Sequence, residues 1–355
     1  MSFIYQARPA RVIFGAGSLD HLEREVLELG AQRAIVLCTP EQRALAQHLV
    51  DRLGARAAGL YDRATMHVPI EIARDAQAFA RSCDADCAIA IGGGSTIGLG
   101  KAIALESSLP ILAIPTTYAG SEMTPIYGLT EGGLKRTGTD ARVLPKTVIY
   151  DPALTVTLPV ALSVTSGLNA IAHAAEGLYA NNANPVMSLV AEEGIRALAR
   201  GLPGVRRDPA DLAARSDALY GAWLCGMVLG NVGMALHHKL CHTLGGSFNL
   251  PHAPTHTVVL PHALAYNAAH APEAMQRIAR AIGTNDAARG LYALALDNGA
   301  PVSLKAIGMQ EADLDRAADL AAANPYWNPR PIERDGLRAL LQDAFDGNLP
   351  GSTAH

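Results

Sequence analysis

The chain has 355 residues, a length typical of two domains, and its 49% hydrophobic and 17% charged residues are the composition of a globular protein rather than a disordered one. The formal net charge is −4 without a dense block of Lys or Arg, so nucleic acid is not an expected partner. No apolar run reaches the ~18 residues of a membrane span, and five scattered cysteines favour a reducing cytoplasm over a disulfide framework.

Short apolar runs alternate with amphipathic segments over the first 150 residues. The apolar runs predict six strands: “ARVIFG”, “RAIVLCT”, “ARAAGLYD”, “CAIAIGGGS”, “PILAIPTT” and “KTVIYDP”. The segments between the first five predict four helices: “SLDHLEREVLELG”, “EQRALAQHLVDRLG”, “IEIARDAQAFARSCD” and “TIGLGKAIALES”. This alternation is typical of a mostly parallel sheet with helices on both faces, so we predict an α/β domain over residues 1–152.

The pattern changes after Asp151 and Pro152, where helical periodicity takes over and no strong strand follows. One predicted helical segment is unusually long, “DLAARSDALYGAWLCGMVLGNVGMALHHKLCHTLGG”. The sequence therefore predicts an all-helical domain over residues 153–355.

A glycine turn joins the fourth strand to its helix in “AIAIGGGSTIGLGK”. Glycine lets backbone amides approach a ligand closely, and a helix N-terminus favours an anion, so the turn suits the pyrophosphate of a dinucleotide. The alternative is an ordinary tight turn between strand and helix. The predicted cofactor residues here are Gly93, Gly94, Ser95 and Thr96.

Hydroxyl side chains follow the next strand in “AIPTTYAGSE”, where open α/β sheets bind ligands, although a self-capping polar loop is the commoner fate of such residues. Thr39 follows the second strand, where an Asp often binds the adenosine ribose; because Thr39 is neutral, no carboxylate encodes a strict NADH preference. Lys146, just before the last strand, is also placed in the cofactor set. The loop hydroxyls in that set are Thr116, Thr117, Tyr118 and Ser121.

The predicted helical domain contains six polar side chains that could form a site, and four of them are paired one turn apart on predicted helices. They are Asn169, His173, His238, His242, His252 and His256. When only one such pair of residues is present, its histidines are more often hydrogen-bonded core residues than metal ligands. Burying several imidazoles without partners is costly, so the cluster favours a functional site, for a metal or for proton transfer.

The order “GGGS”, “PTTYAGSE”, “NAIAH”, “HKLCH” and “LPHAPTH” resembles the iron-containing alcohol dehydrogenase family over nearly the whole chain. The resemblance implies an NAD(P)-binding α/β domain, an all-helical catalytic domain (a fold shared with dehydroquinate synthase-like proteins), substrate in the cleft between them, and a homodimer. Family members hold Fe²⁺ or Zn²⁺ with four side chains, and His242 would lie beside the nicotinamide. The matching ligand positions are Asn169, His173, His238 and His252.

Two positions depart from the common family pattern: Asn169 and Gly98 each stand where Asp is usual. Both departures, together with “HHKLCHTLGG”, resemble the maleylacetate reductase branch, whose members reduce the carbon–carbon double bond of maleylacetate to give 3-oxoadipate in aromatic-compound breakdown. The resemblance implies NADH or NADPH as cofactor and a small dicarboxylate as substrate.

Reduction of an enone fits a site without a metal. Hydride adds to the carbon β to the ketone, and the charge spreads over an enolate that hydrogen bonds or imidazolium groups can stabilise. Loss of the Asp ligand weakens metal binding, although three imidazoles can still hold zinc. The resemblance to the maleylacetate reductase branch implies that no metal is required. A partly protonated histidine cluster would suit a dianionic substrate.

The expected catalytic residues are His242, His173, His238 and His252. Asn169 and His256 are assigned to the substrate pocket. Tyr326 and Arg330 are assigned to it as well, because they match the family's Asn-Pro-Arg helix start. For these two residues a helix cap is the simpler interpretation. Two rivals remain: a metal-dependent alcohol or aldehyde dehydrogenase, and a non-enzymatic nucleotide-binding protein with a degenerate site.

Overall fold

The computed structural model describes Phe3, Tyr5, residues 10–132 and residues 134–352. The described residues divide into two compact units: one covers residues 10–158, and the other begins at Pro159 and takes in Phe3 and Tyr5.

The first unit is built on a six-stranded sheet in the order β1-β8-β5-β4-β2-β3, and every pair of neighbours in it is parallel. The central strands are apolar runs buried along their whole length, as the predicted parallel sheet requires. Its strands are β1 (Arg11–Phe14), β2 (Ala34–Leu37), β3 (Ala57–Tyr61), β4 (Cys87–Gly92), β5 (Ile111–Pro115) and β8 (Thr147–Tyr150).

Four helices cover the two faces of this sheet: α1 (Leu22–Glu28), α2 (Arg43–Leu53), α3 (Ile70–Ser82) and α4 (Gly94–Ser107). Successive side chains of a strand point to opposite faces, so Val36 packs with the core under α1 and α2, and Leu37 with the core under α3 and α4. The predicted sheet covered by helices is confirmed.

An antiparallel hairpin in this unit was not predicted. It consists of β6 (Ile126–Glu131) and β7 (Leu134–Thr139). Neither strand carries a buried apolar run, and Leu134 is 72% exposed. Hydrophobic alternation, on which the strand predictions depended, is therefore weak here.

The second unit is helical. Its helices are α5 (Val160–Leu178), α6 (Pro185–Arg207), α7 (Leu212–Asn231), α8 (Leu236–Phe248), α9 (His252–Asn267), α10 (Pro272–Ile282), α11 (Ala287–Asp297), α12 (Leu314–Ala323) and α13 (Arg334–Asp346). No single helix among the described residues has the length and hydropathy of a membrane span; α7 and α8 reach them only as a pair bent by 96°.

The long helical segment predicted from Asp211 to Gly246 is two helices, because the chain leaves the helix after Asn231 and resumes it at Leu236. This break matters for the site, since it exposes the first N–H groups of α8 to side chains of α5. The domain boundary at residue 152 remains a prediction. The compact units divide after Leu158, because the Asp151 carboxylate accepts N–H bonds from Gly17 and Leu19 and ties the following turn to the first unit.

Candidate active site and cofactor-binding turn

The glycine turn between β4 and α4 is shaped for a close backbone approach. Gly92 has a φ of 149°, and a Cβ there would lie 2.5 Å from Thr96 Oγ1. Helix α4 begins with no side-chain cap at Gly93, which leaves its first N–H groups free for an anion. The buried Thr96 hydroxyl has no hydrogen-bond partner within the described chain. This turn fits the pyrophosphate of a dinucleotide.

The loop after β5 lies against that turn. The N–H of Thr116 donates to the carbonyl oxygen of Gly92 at 3.0 Å. A Cβ at Gly93 would come within 3.0 Å of the Thr117 methyl group. Tyr118 is fully buried, and Ser121 begins a short 3-10 turn. The hydroxyl-bearing loop and the glycine turn thus share the carboxyl edge of the sheet, as predicted for a ligand site in an open α/β fold.

Gln42 is a polar group of this edge that the sequence prediction missed. Its amide nitrogen donates to Thr116 Oγ1 at 2.8 Å, and its oxygen would meet a Cβ at Gly92 at 2.6 Å. The Gln42 side chain comes from the turn after β2, which also contains Thr39. The Thr39 hydroxyl hydrogen-bonds to the Glu41 carboxylate and lowers the pKa of Glu41. The feature of the sequence that could have indicated Gln42 is its position three residues beyond Thr39, in a loop that follows a strand.

Lys146 lies at the opposite edge of the sheet and is a correction to the predicted cofactor set. It precedes β8, and its N–H donates to the carbonyl oxygen of Ile111, the first residue of β5. In a parallel sheet that is the amino edge, whereas the glycine turn leaves the carboxyl edge of β4. The exposed Lys146 side chain is a strand length away from the turn.

Lys101 is a second residue that the sequence analysis did not single out. It is fully buried on α4, and Nζ donates to the carbonyl oxygens of Ser121, Thr124 and Ile126 at 2.7–2.9 Å. Burial lowers its pKa to about 7. Lys101 therefore fastens the end of the hydroxyl-bearing loop to the helix that starts at the glycine turn.

The predicted polar cluster of the second unit forms where α5, α8 and α9 meet. The ring centroid of His238 lies 5.2 Å from that of His173 and 5.1 Å from that of His256. The His252 and His256 rings are 4.4 Å apart, and His242 lies 6.1 Å from His238. The structure thus brings together the five histidines that the sequence analysis proposed.

The cluster has a buried floor and an exposed rim. Asn169, His173, His238 and His256 are at most 4% exposed, whereas His242 and His252 are exposed. Burial, followed by neighbouring histidines, lowers the pKa of His173 and of His256 well below 6.5. These two rings are neutral at pH 7, which corrects the expectation of a partly protonated cluster at those positions.

Beneath the cluster, His237 and Glu176 were missed as site residues. His237 is fully buried, and its Nε2 lies 2.9 Å from His256 Nδ1. The Glu176 carboxylate accepts N–H bonds from Ala235 and His237 at the start of α8, and lies 2.7 Å from His238 Nδ1. Because a carboxylate only accepts, His238 Nδ1 carries the proton and Nε2 faces the cluster. The feature of the sequence that could have indicated Glu176 is its position three residues after His173.

Tyr326 joins the rim, and Arg330 does not. The Tyr326 hydroxyl lies 3.1 Å from His242 Nδ1, and burial raises its pKa, so it stays protonated at neutral pH. The Arg330 guanidinium instead stacks 4.0 Å from the Tyr266 ring centroid and donates to the Tyr266 carbonyl oxygen. Its contacts fix the segment before α13, so the predicted substrate role of Arg330 has no support in these contacts.

The family's metal-ligand positions do not form a metal-holding group in this structure. Asn169 Oδ1, His173 Nδ1 and His238 Nε2 are buried without a hydrogen-bond partner in the described chain. Yet Asn169 brings no charge, and His173, His238 and His252 do not place ligand atoms within 4.8 Å of one another; over the described residues only His237, Cys241 and His256 do so. The donor set therefore does not fit a divalent metal as it stands.

In a comparison with known protein families, two family models match this chain, one in each compact unit. The family model “Iron-containing alcohol dehydrogenase” matches residues 9–152, and “Fe-containing alcohol dehydrogenase family, C-terminal” matches residues 163–345. The chain belongs to the iron-containing alcohol dehydrogenase family.

Within this iron-containing alcohol dehydrogenase family, the chain is similar to several maleylacetate reductases. It is 65% identical to that of Burkholderia cepacia over 98% of this chain and 99% of the relative. It is 58% identical to that of Sphingobium indicum over the full length of both. The crystal structure of maleylacetate reductase from Agrobacterium tumefaciens has a TM-score of 0.97 and 54% identity, covering 99% of this chain and 100% of that one.

Proposed function

We propose that this chain is an NAD(P)H-dependent oxidoreductase that reduces maleylacetate to 3-oxoadipate. Identity of 54–65% over nearly the full length to proteins named maleylacetate reductase carries the proposal. The neutral histidine floor, with Asn169 in place of a charged ligand, supports reduction of an enone over alcohol oxidation, because an alkoxide localises charge and an enolate delocalises it.

The cofactor supplies a hydride when bound. The groups of the first unit that would hold it are the N-terminal amides of α4, the Thr96 hydroxyl and the loop hydroxyls after β5. Thr39 offers no carboxylate to the adenosine ribose and no cation to a 2′-phosphate. We propose that both NADH and NADPH serve.

The helical unit would act on the substrate as follows. The neutral imidazole of His173 has one N–H to donate, which suits carboxylate and enolate oxygens without a charged partner. The neutral imidazole of His256 can do the same when His237 donates the hydrogen bond that the two rings share. The exposed pair of His242 and Tyr326 is proposed to deliver the proton that converts the enolate into the ketone product. No step requires a metal.

The test is oxidation of NADH and of NADPH with maleylacetate, before and after treatment with a strong chelator. Turnover that survives chelation supports the proposal. Activity that is lost on chelation and restored by Fe²⁺ or Zn²⁺ supports a metal-dependent dehydrogenase instead, and nucleotide binding without turnover supports the non-enzymatic alternative. The homodimer that the resemblance implies and the cytoplasmic location that the cysteine content favours stay predictions.

A further inference from the structure

Three buried side chains, one of them in the floor of the histidine cluster, have the composition of a soft metal site. His237 and Cys241 are one helical turn apart on α8, and His256 reaches them from α9. All three are at most 2% exposed. Their ligand atoms, two imidazole nitrogens and one sulfur, lie within 4.8 Å of one another.

The separations are close to those of a coordinated ion. Cys241 Sγ is 3.7 Å from His237 Nε2. A tetrahedral or trigonal ion with bonds of about 2.0–2.1 Å to nitrogen and about 2.3 Å to sulfur places such a pair roughly 3.5–3.8 Å apart. His237 Nε2 and His256 Nδ1 are 2.9 Å apart, held by a hydrogen bond. An ion would need this pair to open by about half an ångström, to roughly 3.3–3.5 Å.

The local charge also favours a cation. Glu176 accepts the backbone N–H of His237 at 2.6 Å, and its charge acts on the Cys241 thiol. Burial and the charge of Glu176 raise the pKa of the Cys241 thiol well above its ordinary value. The negative field that opposes a bare thiolate attracts a metal ion, which then replaces the thiol proton.

We propose that His237, Cys241 and His256 bind one thiophilic d¹⁰ cation, Cu⁺ or Zn²⁺, at a site separate from the family's four ligand positions. Binding forms one metal–sulfur and two metal–nitrogen bonds. The thiol proton leaves to solvent, and the proton in the His237–His256 hydrogen bond moves to the second nitrogen of the ring that carries it. The second nitrogens, His237 Nδ1 and His256 Nε2, have no other partner in the described chain.

Coordination number and charge point to different ions of this class. Three ligands in a fully buried position suit trigonal Cu⁺, whereas one thiolate and the Glu176 carboxylate together balance the charge of Zn²⁺. The shared chemistry is the bond to the Cys241 thiolate, which the oxygen- and nitrogen-bearing family positions cannot form. A sulfur-specific signal therefore separates the two sites.

The test is an anaerobic titration of the reduced, chelator-treated protein with Cu⁺, and separately with Co²⁺ as the spectroscopic substitute for Zn²⁺. We expect a thiolate-to-metal charge-transfer band that saturates at one equivalent and is lost in Cys241→Ala and Cys241→Ser. Cys225→Ala, which removes a buried thiol of α7, and Cys83→Ala, which removes a partly exposed one, should retain the band.

Thermal unfolding of each variant establishes that it is folded. Cys241 is replaced in two ways so that the test still holds if one of the two variants does not fold. Retention of Cu⁺ or of Zn²⁺ against a competing chelator identifies the ion. The proposal would be overturned if the band survived in both Cys241 variants. It would also be overturned if neither Cu⁺ nor Co²⁺ gave a band that saturates at one equivalent. These readouts need no reductase activity, so they stand or fall separately from the proposed function.

Discussion

His242 and Tyr326 make the exposed rim of the histidine cluster, and their contact of 3.1 Å leads to a prediction about proton delivery. His242→Ala should lower kcat about 10²-fold, the contribution of a positioned general acid, and should weaken NADH binding much less than that. Tyr326→Phe should cause a smaller loss, since it removes only the hydroxyl. Steady-state kinetics and a fluorescence titration of NADH measure both effects. His270→Ala, an exposed histidine elsewhere, serves as the control, and an unchanged kcat in His242→Ala would exclude the role.

Asn169 provides a second prediction at the scale of a residue. Its buried Oδ1 has no partner in the described chain, and it lies one helical turn before His173. Asn169→Asp should restore a charged ligand, raise the affinity for Zn²⁺ and place a negative charge where a dianion docks. Reductase activity should fall even without metal.

Calorimetric titration of Zn²⁺ into the Asn169→Asp variant and its parent measures the first effect. Asn298→Asp, which changes another buried amide of the helical unit, is the matched control. Equal Zn²⁺ affinities together with undiminished activity would show that Asn169 does not face the histidines.

Which histidines share a helical face could be predicted from spacing, because residues four apart lie on the same side of a helix. Which of them are neutral could not. His256 and His252 are also four apart, yet one is buried with a lowered pKa and the other is exposed. That difference comes from the packing of α8 and α9, which spacing within one helix does not encode.

At the scale of elements, Lys101 joins α4 to the loop that carries the predicted cofactor hydroxyls. Lys101→Met keeps the bulk of the side chain but leaves three carbonyl groups without their donor, which should lower the free energy of unfolding by about 2–4 kcal/mol. The loosened loop should raise the KM for NADH more than it lowers kcat. Denaturant unfolding and initial rates measure this, with exposed Lys305→Met as the control. A KM equal to that of the parent would refute the loop-positioning role.

Glu176 joins α5 to the start of α8. Glu176→Ala should cost about 3–5 kcal/mol of unfolding free energy, because it orphans buried N–H groups and the His238 Nδ1 proton. Glu176→Gln should cost less but still misorient His238 and lower kcat. Asp211→Ala removes an ordinary helix cap from α7 and should cost about 1 kcal/mol with kcat intact. If both Glu176 variants keep the parent kcat, the orientation of His238 is not important for turnover.

The strands of the parallel sheet could be predicted because they are buried apolar runs, and the hairpin β6–β7 could not because neither of its strands carries such a run. The break between α7 and α8 escaped for a different reason. The apolar pattern runs on through “GNVGMALHH” without a proline. What stabilises the new helix start is the Glu176 carboxylate, which lies about sixty residues earlier in the chain.

At the scale of the whole molecule, the two units carry different groups: the uncapped amides at the start of α4 in the first and the clustered imidazoles in the second. Sequence order alone indicated this division, because the α/β alternation stops near Pro152. It did not indicate that the ligand atoms most nearly converged for a metal belong to His237, Cys241 and His256 rather than to the family positions. That fact depends on how three helices pack.

This convergence bears on the response of the protein to metal removal. Reduction of the enone needs an electrophile for a delocalised enolate, which neutral N–H donors supply. Dialysis against a strong chelator should therefore leave the rate of maleylacetate reduction within about twofold of the untreated enzyme. If His237, Cys241 and His256 hold an ion, chelation should still lower the midpoint of thermal unfolding, because an ion bound only to the folded state stabilises it. Activity and stability thus respond separately to the same treatment. A rate that falls with chelation and returns specifically with Fe²⁺ would mean that the family positions hold a catalytic metal despite Asn169.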